Sequence, residues 1–251
     1  MSVVETCAIC GGSGWKVTER EGISGAERCT CASQGREERN LERANIPPLY
    51  RNASVDNFML PSDNPVARSG LASVVLTVKA YMREFPGVPK PGLMFMGPPG
   101  TGKTHLAVSV LRGLVGRGFE GIFFDFLSLL NRIRTGYDQA SGTMDREAYR
   151  SALDAEILLL DDLGSDSISN WALDTITSIM THRCNNLKAT IVTTNLRDPE
   201  AGDARGSGLQ ADLHSKYFLE ERVGMRARSR LFEMCKVVKM PYVEDYRIKK
   251  R

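Results

Sequence analysis

The sequence lacks the segments that mark a membrane or secreted protein. Its 251 residues contain no apolar run close to the roughly 20 residues that a membrane-spanning helix needs. The N-terminus also lacks a basic segment followed by an apolar one, which is the pattern of a signal peptide. We therefore expect a cytoplasmic protein with no membrane partner. In that compartment thiols stay reduced, so paired cysteines indicate a metal site rather than disulfides.

A strong overall charge is also missing. The formal net charge of +3 is too small to indicate a nucleic-acid partner by itself. The positive charge is concentrated near the C-terminus, where residues 210–251 carry eleven Lys or Arg and six Asp or Glu. An apolar content of 42% and a charged content of 25% are ordinary for a globular protein with a sizeable core. The length allows one large domain with a small appendage.

One stretch matches the phosphate-binding pattern G-x-x-x-x-G-K-[ST] at every position. It consists of Gly97, Pro98, Pro99, Gly100, Thr101, Gly102, Lys103 and Thr104. An apolar strand is predicted at 93–96 and an amphipathic helix at 105–115, which is the context that this loop requires. Lys103 is expected to reach the β- and γ-phosphates, and the Thr104 hydroxyl to ligate Mg²⁺. The sequence therefore predicts a nucleoside triphosphate site for ATP and Mg²⁺.

A second nucleotide signature is the stretch 155–162, in which an apolar run at 157–160 ends in Asp161 and Asp162. Such a run predicts a buried parallel strand whose carboxyl end projects acids toward the phosphates. Asp161 is expected to hold Mg²⁺, and Asp162 to orient or deprotonate the attacking water. Asn195 follows another predicted strand at 189–193. Its side chain either hydrogen-bonds that water or closes an Asx turn, and the local residues favour neither.

Four of the six cysteines lie between residues 7 and 31, as the pairs Cys7-x-x-Cys10 and Cys29-x-Cys31. Two such pairs can form a tetrahedral Cys₄ zinc site, and the metal would supply stability that a short segment with few apolar residues lacks. Four thiolates leave no open coordination position, which indicates structural rather than catalytic zinc. Incidental reduced thiols are the alternative.

The rest of the chain supplies connecting elements and a cluster of arginines. Residues 33–45 are charged and predict a linker helix, and residues 46–58 predict a strap that either connects or covers an adenine. We further expect a helix at 65–85, a polar loop at 136–146, a helix at 169–185, a loop at 198–216 and a strand at 237–242. Four arginines fall between residues 222 and 230, and one of them could serve a neighbouring subunit as an arginine finger.

These motifs recur in the same order in AAA+ ATPases. Over residues 44–236 the chain resembles the DnaC/DnaI-type helicase loaders and the related IstB transposition helpers, and the zinc-type N-terminus is similar to the loaders alone. Four blocks carry the resemblance: ANIPPLYR at 44–51, LLDDLG at 159–164, IVTTNL at 191–196 and SRLFEMC at 229–235. It implies an αβα P-loop core with a parallel five-stranded sheet and no C-terminal lid. Residues 1–45 would then be a helicase-binding zinc segment with a linker helix, and residues 46–251 the ATPase domain.

The resemblance also implies roles for single residues. Asn195 would be sensor 1 and Arg230 the arginine finger, while Arg183 would contact a neighbouring subunit. The segment Arg226-Ala227-Arg228 departs from the family pattern, so Arg222, Arg226 and Arg228 stay open as finger candidates.

The function implied is that of a slow ATPase that loads the replicative helicase. Its expected partners are a DnaB-type helicase hexamer, single-stranded DNA and further copies of itself in an ATP-dependent oligomer. Two alternatives remain at this point. One is an IstB-like ATPase that assists transposition on duplex DNA, and the other is an adaptor that senses nucleotide without hydrolysing it.

Overall fold

The computed structural model describes residues 7–11, 13, 15–20, 23–29, 39–138, 144–165, 169–201 and 217–249. An antiparallel hairpin of strands β1 (Trp15–Arg20) and β2 (Ile23–Arg28) comes first. The central sheet then has five strands: β3 (Gly92–Met96), β4 (Gly121–Asp125), β5 (Ile157–Asp161), β6 (Ala189–Thr194) and β7 (Cys235–Lys239). Their order is β4-β5-β6-β3-β7, and every neighbouring pair is parallel. The predicted fold class is confirmed.

Helices cover both faces of this sheet. They are α1 (Pro65–Glu84), α2 (Lys103–Val115), α3 (Phe126–Asp138), α4 (Met144–Asp154), α5 (Asn170–Asn185), α6 (Leu219–Met234) and the short α7 (Tyr246–Lys249). Single 3₁₀ turns occupy Pro48–Tyr50 and Pro199–Ala201. Within the part of the chain described, no helix is long and apolar enough to cross a bilayer.

Alternate residues of each strand build the two halves of the core. In β3, Leu93 and Phe95 pack with α1 and α2, whereas Met94 and Met96 pack with α3 to α6. Both sets are fully buried because successive side chains of a strand point to opposite faces. A strand that is covered on both faces reads as one continuous apolar run, which is why the sequence indicated these strands clearly.

Helix starts follow the capping signals of the sequence. Asn64 accepts a hydrogen bond from Ala67 N at 3.0 Å and precedes a proline in the first helical position of α1. Ser169 caps α5 in the same way through Ala172 N, at 3.4 Å. Both caps place the helices within a residue of their predicted starts.

The predictions for the connecting segments were partly wrong. The loop expected at 136–146 is shorter, because α3 continues to Asp138 and α4 begins at Met144. Residues 139–143 lie outside the described residues, as do 33–38 of the expected linker helix and 202–216 of the expected loop. The last strand begins two residues earlier than predicted, at Cys235, and ends at Lys239.

Candidate functional site

The predicted phosphate loop joins the carboxyl end of β3 to the N-terminus of α2. Gly102 caps α2 in the left-handed region, with a φ of 88°. A Cβ at this position would collide with the ring of Phe58, so both the backbone conformation and the available space require glycine. The helix N-terminus behind the loop presents free N–H groups and a positive partial charge, which suit a phosphate.

Lys103 is folded back over this loop. Its Nζ donates hydrogen bonds to Gly97 O at 2.8 Å and to Pro98 O at 2.6 Å, and the side chain is buried. Burial lowers the pKa of Lys103 to about 8, although Asp162 and Asp161 act in the opposite direction. The ammonium group therefore lies beside the loop, and the phosphate oxygens of a bound nucleotide would take the place of its two carbonyl partners.

The lowered pKa of Lys103 predicts how nucleotide affinity depends on pH. The pKa of Lys103 is about 8. At a pH below this value the empty site already carries the ammonium, whereas at a higher pH a bound triphosphate must draw a proton back onto Lys103. We expect ATP affinity to fall by about twofold from pH 7 to 8 and then by up to about tenfold per pH unit. Titration with a fluorescent ATP analogue between pH 7 and 9.5 measures this. Unchanged affinity up to pH 9.5 would contradict it.

Side chains from two other elements converge on Asp161 at the end of β5. The Thr104 hydroxyl of α2 donates to Asp161 Oδ1 at 3.0 Å, and the Thr193 hydroxyl of β6 donates to the same oxygen at 2.5 Å. Burial raises the pKa of Asp161, and these two hydrogen bonds lower it. A hydroxyl and a carboxylate side by side offer the hard oxygen ligands that Mg²⁺ prefers, so the residues fit the predicted metal.

Asp162 and Asn195 meet across the gap between β5 and β6. Asn195 Nδ2 donates to Asp162 Oδ1 at 2.8 Å, and Asp162 has a left-handed backbone with a φ of 57°. Burial is also the main cause that raises the pKa of Asp162, while Lys103 lowers it. Asn195 Oδ1 is buried without a hydrogen-bond partner among the described residues. The Asn195 amide therefore contacts the acid that was predicted to act on water.

A cavity of about 360 Å³ opens beside this pair. Asp162, Asn195, Tyr217 and Arg222 are among the residues that line it. The guanidinium of Arg222 lies 3.7 Å from the centre of the Tyr217 ring. Arg222 therefore lines the same cavity as Asp162 of its own chain. An arginine finger would instead act on the nucleotide of a neighbouring subunit.

The other arginines of α6 differ in their contacts. Arg228 makes two hydrogen bonds of 2.7 Å to the fully buried carboxylate of Asp198, so it is committed to an internal ion pair. Arg230 pairs with Glu233 at 2.7 Å and keeps 38% of its side chain exposed. Arg226 is exposed. Arg230 and Arg226 are therefore more accessible to another protomer than Arg228 is.

The expectation that Arg183 contacts a neighbouring subunit was wrong. Arg183 is completely buried, and its guanidinium hydrogen-bonds five backbone carbonyls and the Thr190 hydroxyl. The carbonyls belong to the end of α4, the turn after it and the start of β6. Burial lowers the pKa of Arg183 to about 9, which still leaves it charged at neutral pH. Its role is to join these elements inside the domain.

The strap reaches the nucleotide site at one end only. Phe58 lies against Gly102, and its ring centroid is 5.5 Å from that of His105. His105 in turn is 2.9 Å from Ser54 O through Nε2. Ile46 instead lines a separate cavity of about 850 Å³ beside β4. The part of the strap around Phe58 is thus the part in position to border a bound nucleotide.

The C-terminal segment contacts the phosphate loop, which the sequence did not indicate. Tyr246 N donates to Gly100 O at 3.3 Å, and the Asp245 carboxylate occupies the space that a Cβ of Gly100 would need. Tyr246 Oη donates to Met59 Sδ at 2.9 Å. The charge of Arg247 contributes to lowering the pKa of both Lys103 and Asp162. Helix α7 therefore forms one wall beside the loop.

Three of the four predicted zinc ligands are close together. The Sγ atoms of Cys7, Cys10 and Cys29 lie within 4.8 Å of one another, and those of Cys7 and Cys29 are 3.8 Å apart. Tetrahedral zinc with Zn–S bonds of about 2.3 Å separates its sulfurs by about 3.8 Å, so these thiols fit the metal. Gly11 N closes the first turn onto Cys7 O at 2.8 Å. Cys31 lies outside the described residues.

Metal analysis tests this site. Untagged protein purified without chelators should contain about one zinc per chain, and Cys7→Ser should lose it because a structural site needs all four ligands. Cys184→Ser serves as the control, since Cys184 is buried within α5 and should leave the zinc content unchanged. A Cys7→Ser variant with full zinc content would refute ligation by that residue.

Comparisons with known proteins agree with this architecture. Residues 89–203 match the family described as IstB-like ATP binding protein. A crystal structure of the DnaC helicase loader is 33% identical with a TM-score of 0.61, and the match covers 78% of this chain and 100% of that one. A crystal structure of DnaI shares the fold at 21% identity and a TM-score of 0.57, covering 78% of this chain and 95% of that one.

The curated relatives are matched over part of their length. The replicative helicase loader DnaC of Escherichia coli strain K12 is 25% identical over 158 residues, which are 63% of this chain and 61% of that protein. The structural match to DnaC, by contrast, extends over the whole of the solved chain at 33% identity. On that ground this chain belongs to the DnaC/IstB-like family of AAA+ ATPases.

Proposed function

We propose that this protein is an ATP-dependent loader of the replicative DNA helicase. The observation that carries the proposal is the grouping of the predicted nucleotide-site residues in a chain of which 78% matches the whole of a solved DnaC helicase loader chain. Lys103 and Thr104 come from the start of α2, Asp161 and Asp162 from the carboxyl end of β5, and Asn195 from the residue after β6. All five lie around one loop.

The chemistry follows from these residues. Lys103 binds the β- and γ-phosphates, and Thr104 and Asp161 hold Mg²⁺, which when bound neutralises charge on the phosphates. Asp162 orients and deprotonates the attacking water, while Asn195 keeps the Asp162 carboxylate in place. Asp162 has a shorter side chain than a glutamate at the same position would have. We therefore expect slow hydrolysis in the isolated protein.

Self-association would complete the site. Arg230 is partly exposed and pairs with Glu233, an i,i+3 pair of a kind that contributes little to stability. In an ATP-dependent oligomer it would leave Glu233 and reach the γ-phosphate of the adjacent protomer as an arginine finger. This arrangement makes hydrolysis depend on assembly.

The two parts of the chain would have separate partners. Residues 1–45, with zinc bound by Cys7, Cys10, Cys29 and Cys31, would bind the helicase hexamer. Residues 46–251 would bind ATP and single-stranded DNA. Arg132 and Arg134 at the exposed side of α3 are candidates for contacts with DNA phosphates.

A loading assay tests the proposal directly. A DnaB-type helicase on circular single-stranded DNA with an annealed oligonucleotide should displace more of that oligonucleotide when this protein and ATP are present. Lys103→Ala should remove the effect, because the phosphates lose their main cation. A helicase whose unwinding is unaffected by the wild-type protein would contradict the loader function.

The match to IstB-like proteins supports a second candidate, an ATPase that assists transposition. Such a protein would form ATP-dependent filaments on duplex DNA and would have no affinity for a helicase. Hydrolysis stimulated by duplex rather than single-stranded DNA would favour it. No detectable turnover with DNA and helicase present would instead favour a nucleotide-sensing adaptor.

A further inference from the structure

Thr193 is a buried residue at the end of β6 that contacts both acids of the nucleotide site. Its hydroxyl donates to Asp161 Oδ1 at 2.5 Å and accepts a hydrogen bond from Asp162 N at 2.9 Å. Only 2% of the residue is exposed. A threonine hydroxyl has one proton to donate and lone pairs to accept, so one side chain satisfies both contacts at once.

We propose that Thr193 is a positioning residue that fixes Asp161 and Asp162 together for Mg²⁺-dependent nucleotide binding. The proposal rests on the ATPase site proposed above. It adds a second residue at this end of β6 to Asn195, whose amide donates to Asp162. Thr193 lies within β6 and Asn195 directly after it, and their side chains contact the two acids at the carboxyl end of β5.

The first part of the role concerns the Asp161 carboxylate. Thr104 holds this carboxylate from the α2 side, at 3.0 Å from Oδ1 and 3.3 Å from Oδ2. Thr193 holds Oδ1 from the β6 side. With donors on two sides the carboxylate has one favoured rotation, and removal of the Thr193 hydroxyl would leave it held from α2 alone. Partners of this kind orient a ligand before the metal arrives.

The second part concerns the backbone of Asp162. A φ of 57° is uncommon for a residue with a side chain, and it persists only where the surroundings enforce it. The hydrogen bond from Asp162 N to the Thr193 hydroxyl supplies one such constraint, and the one from Leu163 N to Thr193 O, at 2.8 Å, supplies another. Thr193 therefore sets the direction in which the Asp162 carboxylate leaves the strand.

Thr194 offers a matched control on the same strand. It is also fully buried, but it lies on the opposite side of β6. Its hydroxyl donates to Leu163 O at 2.8 Å and accepts from Leu196 N at 3.1 Å. Thr194→Val thus removes a hydroxyl with the same number of hydrogen bonds while leaving the contacts to both carboxylates intact.

Binding of a fluorescent ATP analogue, titrated with Mg²⁺, tests the proposal. Thr193→Val should need about tenfold more Mg²⁺ for half-maximal enhancement of binding, as is usual when a partner of a metal ligand is removed. Its affinity in EDTA should stay at the wild-type value, since Lys103 and the loop are unchanged. Thr193→Ser should restore the wild-type Mg²⁺ dependence, because serine keeps the hydroxyl.

Two results would overturn the proposal. One is a wild-type Mg²⁺ dependence in Thr193→Val, and the other is an equal shift in Thr194→Val, which would indicate a general loss of packing. Thermal unfolding of each variant identifies any that fails to fold. If Thr193→Val does, Thr193→Ala, which also lacks the hydroxyl, replaces it in the titration. The titration contains no helicase, so the loader function can fail while this result stands.

Discussion

Replacing Arg183 with methionine should lower the free energy of unfolding by about 3–5 kcal/mol, because several buried carbonyls lose their donor at a cost of about 1–3 kcal/mol each. Methionine fills much of the same volume but donates no hydrogen bond. The carbonyls of Ala152 and Leu153, at the end of α4, would then be buried without a donor. The Ala189 carbonyl at the start of β6 would lose its 2.5 Å bond as well. The connection between α4 and the sheet would weaken.

Chemical denaturation followed by circular dichroism measures this loss. Arg226→Met is the matched control, because Arg226 is an exposed arginine in a helix and its replacement should change stability by less than about 0.5 kcal/mol. The loss of stability in Arg183→Lys should lie between those of Arg183→Met and Arg226→Met, since an ammonium group cannot reach all six acceptors. If Arg183→Met unfolds at the wild-type denaturant concentration, the buried network does not stabilise the domain.

Replacing Arg230 with alanine should leave ATP binding unchanged and reduce the hydrolysis of the assembled protein by at least about a thousandfold. ATP binding depends on the loop, Lys103 and Asp161, none of which contacts Arg230 in the described part of the chain. Hydrolysis depends on a cation from the next protomer. Nucleotide titration and phosphate-release assays, with single-stranded DNA and helicase present, measure the two effects separately.

A mixing experiment sharpens this prediction. Lys103→Ala protomers bind no ATP but keep Arg230, whereas Arg230→Ala protomers bind ATP but lack the finger. Each variant alone should be inactive, and a mixture should recover part of the activity. Arg226→Ala is the control for a general loss of positive charge on α6, and it should be active. Full activity of Arg230→Ala alone would remove the assignment and direct attention to Arg226.

Features that depend on neighbouring residues were predictable from the sequence. The phosphate loop, its strand and its helix occupy one continuous stretch, and β5 and β6 are apolar runs that end in polar residues. Parallel strands bring their carboxyl ends to one edge, so Asp161, Asp162 and Asn195 were expected near the loop. The grouping of Cys7 and Cys10 was likewise indicated by their spacing alone.

Features that depend on contacts between residues far apart in the chain could not be predicted from the sequence. Nothing in the local sequence distinguishes buried Arg183 from an exposed arginine at the end of a helix, because its partners are backbone carbonyls of α4 and β6. Thr193 cannot be distinguished in the sequence from the other β-branched residues of its strand. The C-terminal segment carries no motif, and its position beside Gly100 follows only from the direction in which the chain leaves β7.

The most direct test of the loader function is native mass spectrometry of this protein mixed with the replicative helicase of its host. Spectra are recorded with ATP and then with ADP. We expect a complex with the helicase hexamer whose stoichiometry differs between ATP and ADP. With the Lys103→Ala variant, the stoichiometry should be the same in both nucleotides. Absence of any complex in either state would contradict the loader function, while a separate nucleotide titration would still decide whether the ATPase site is intact.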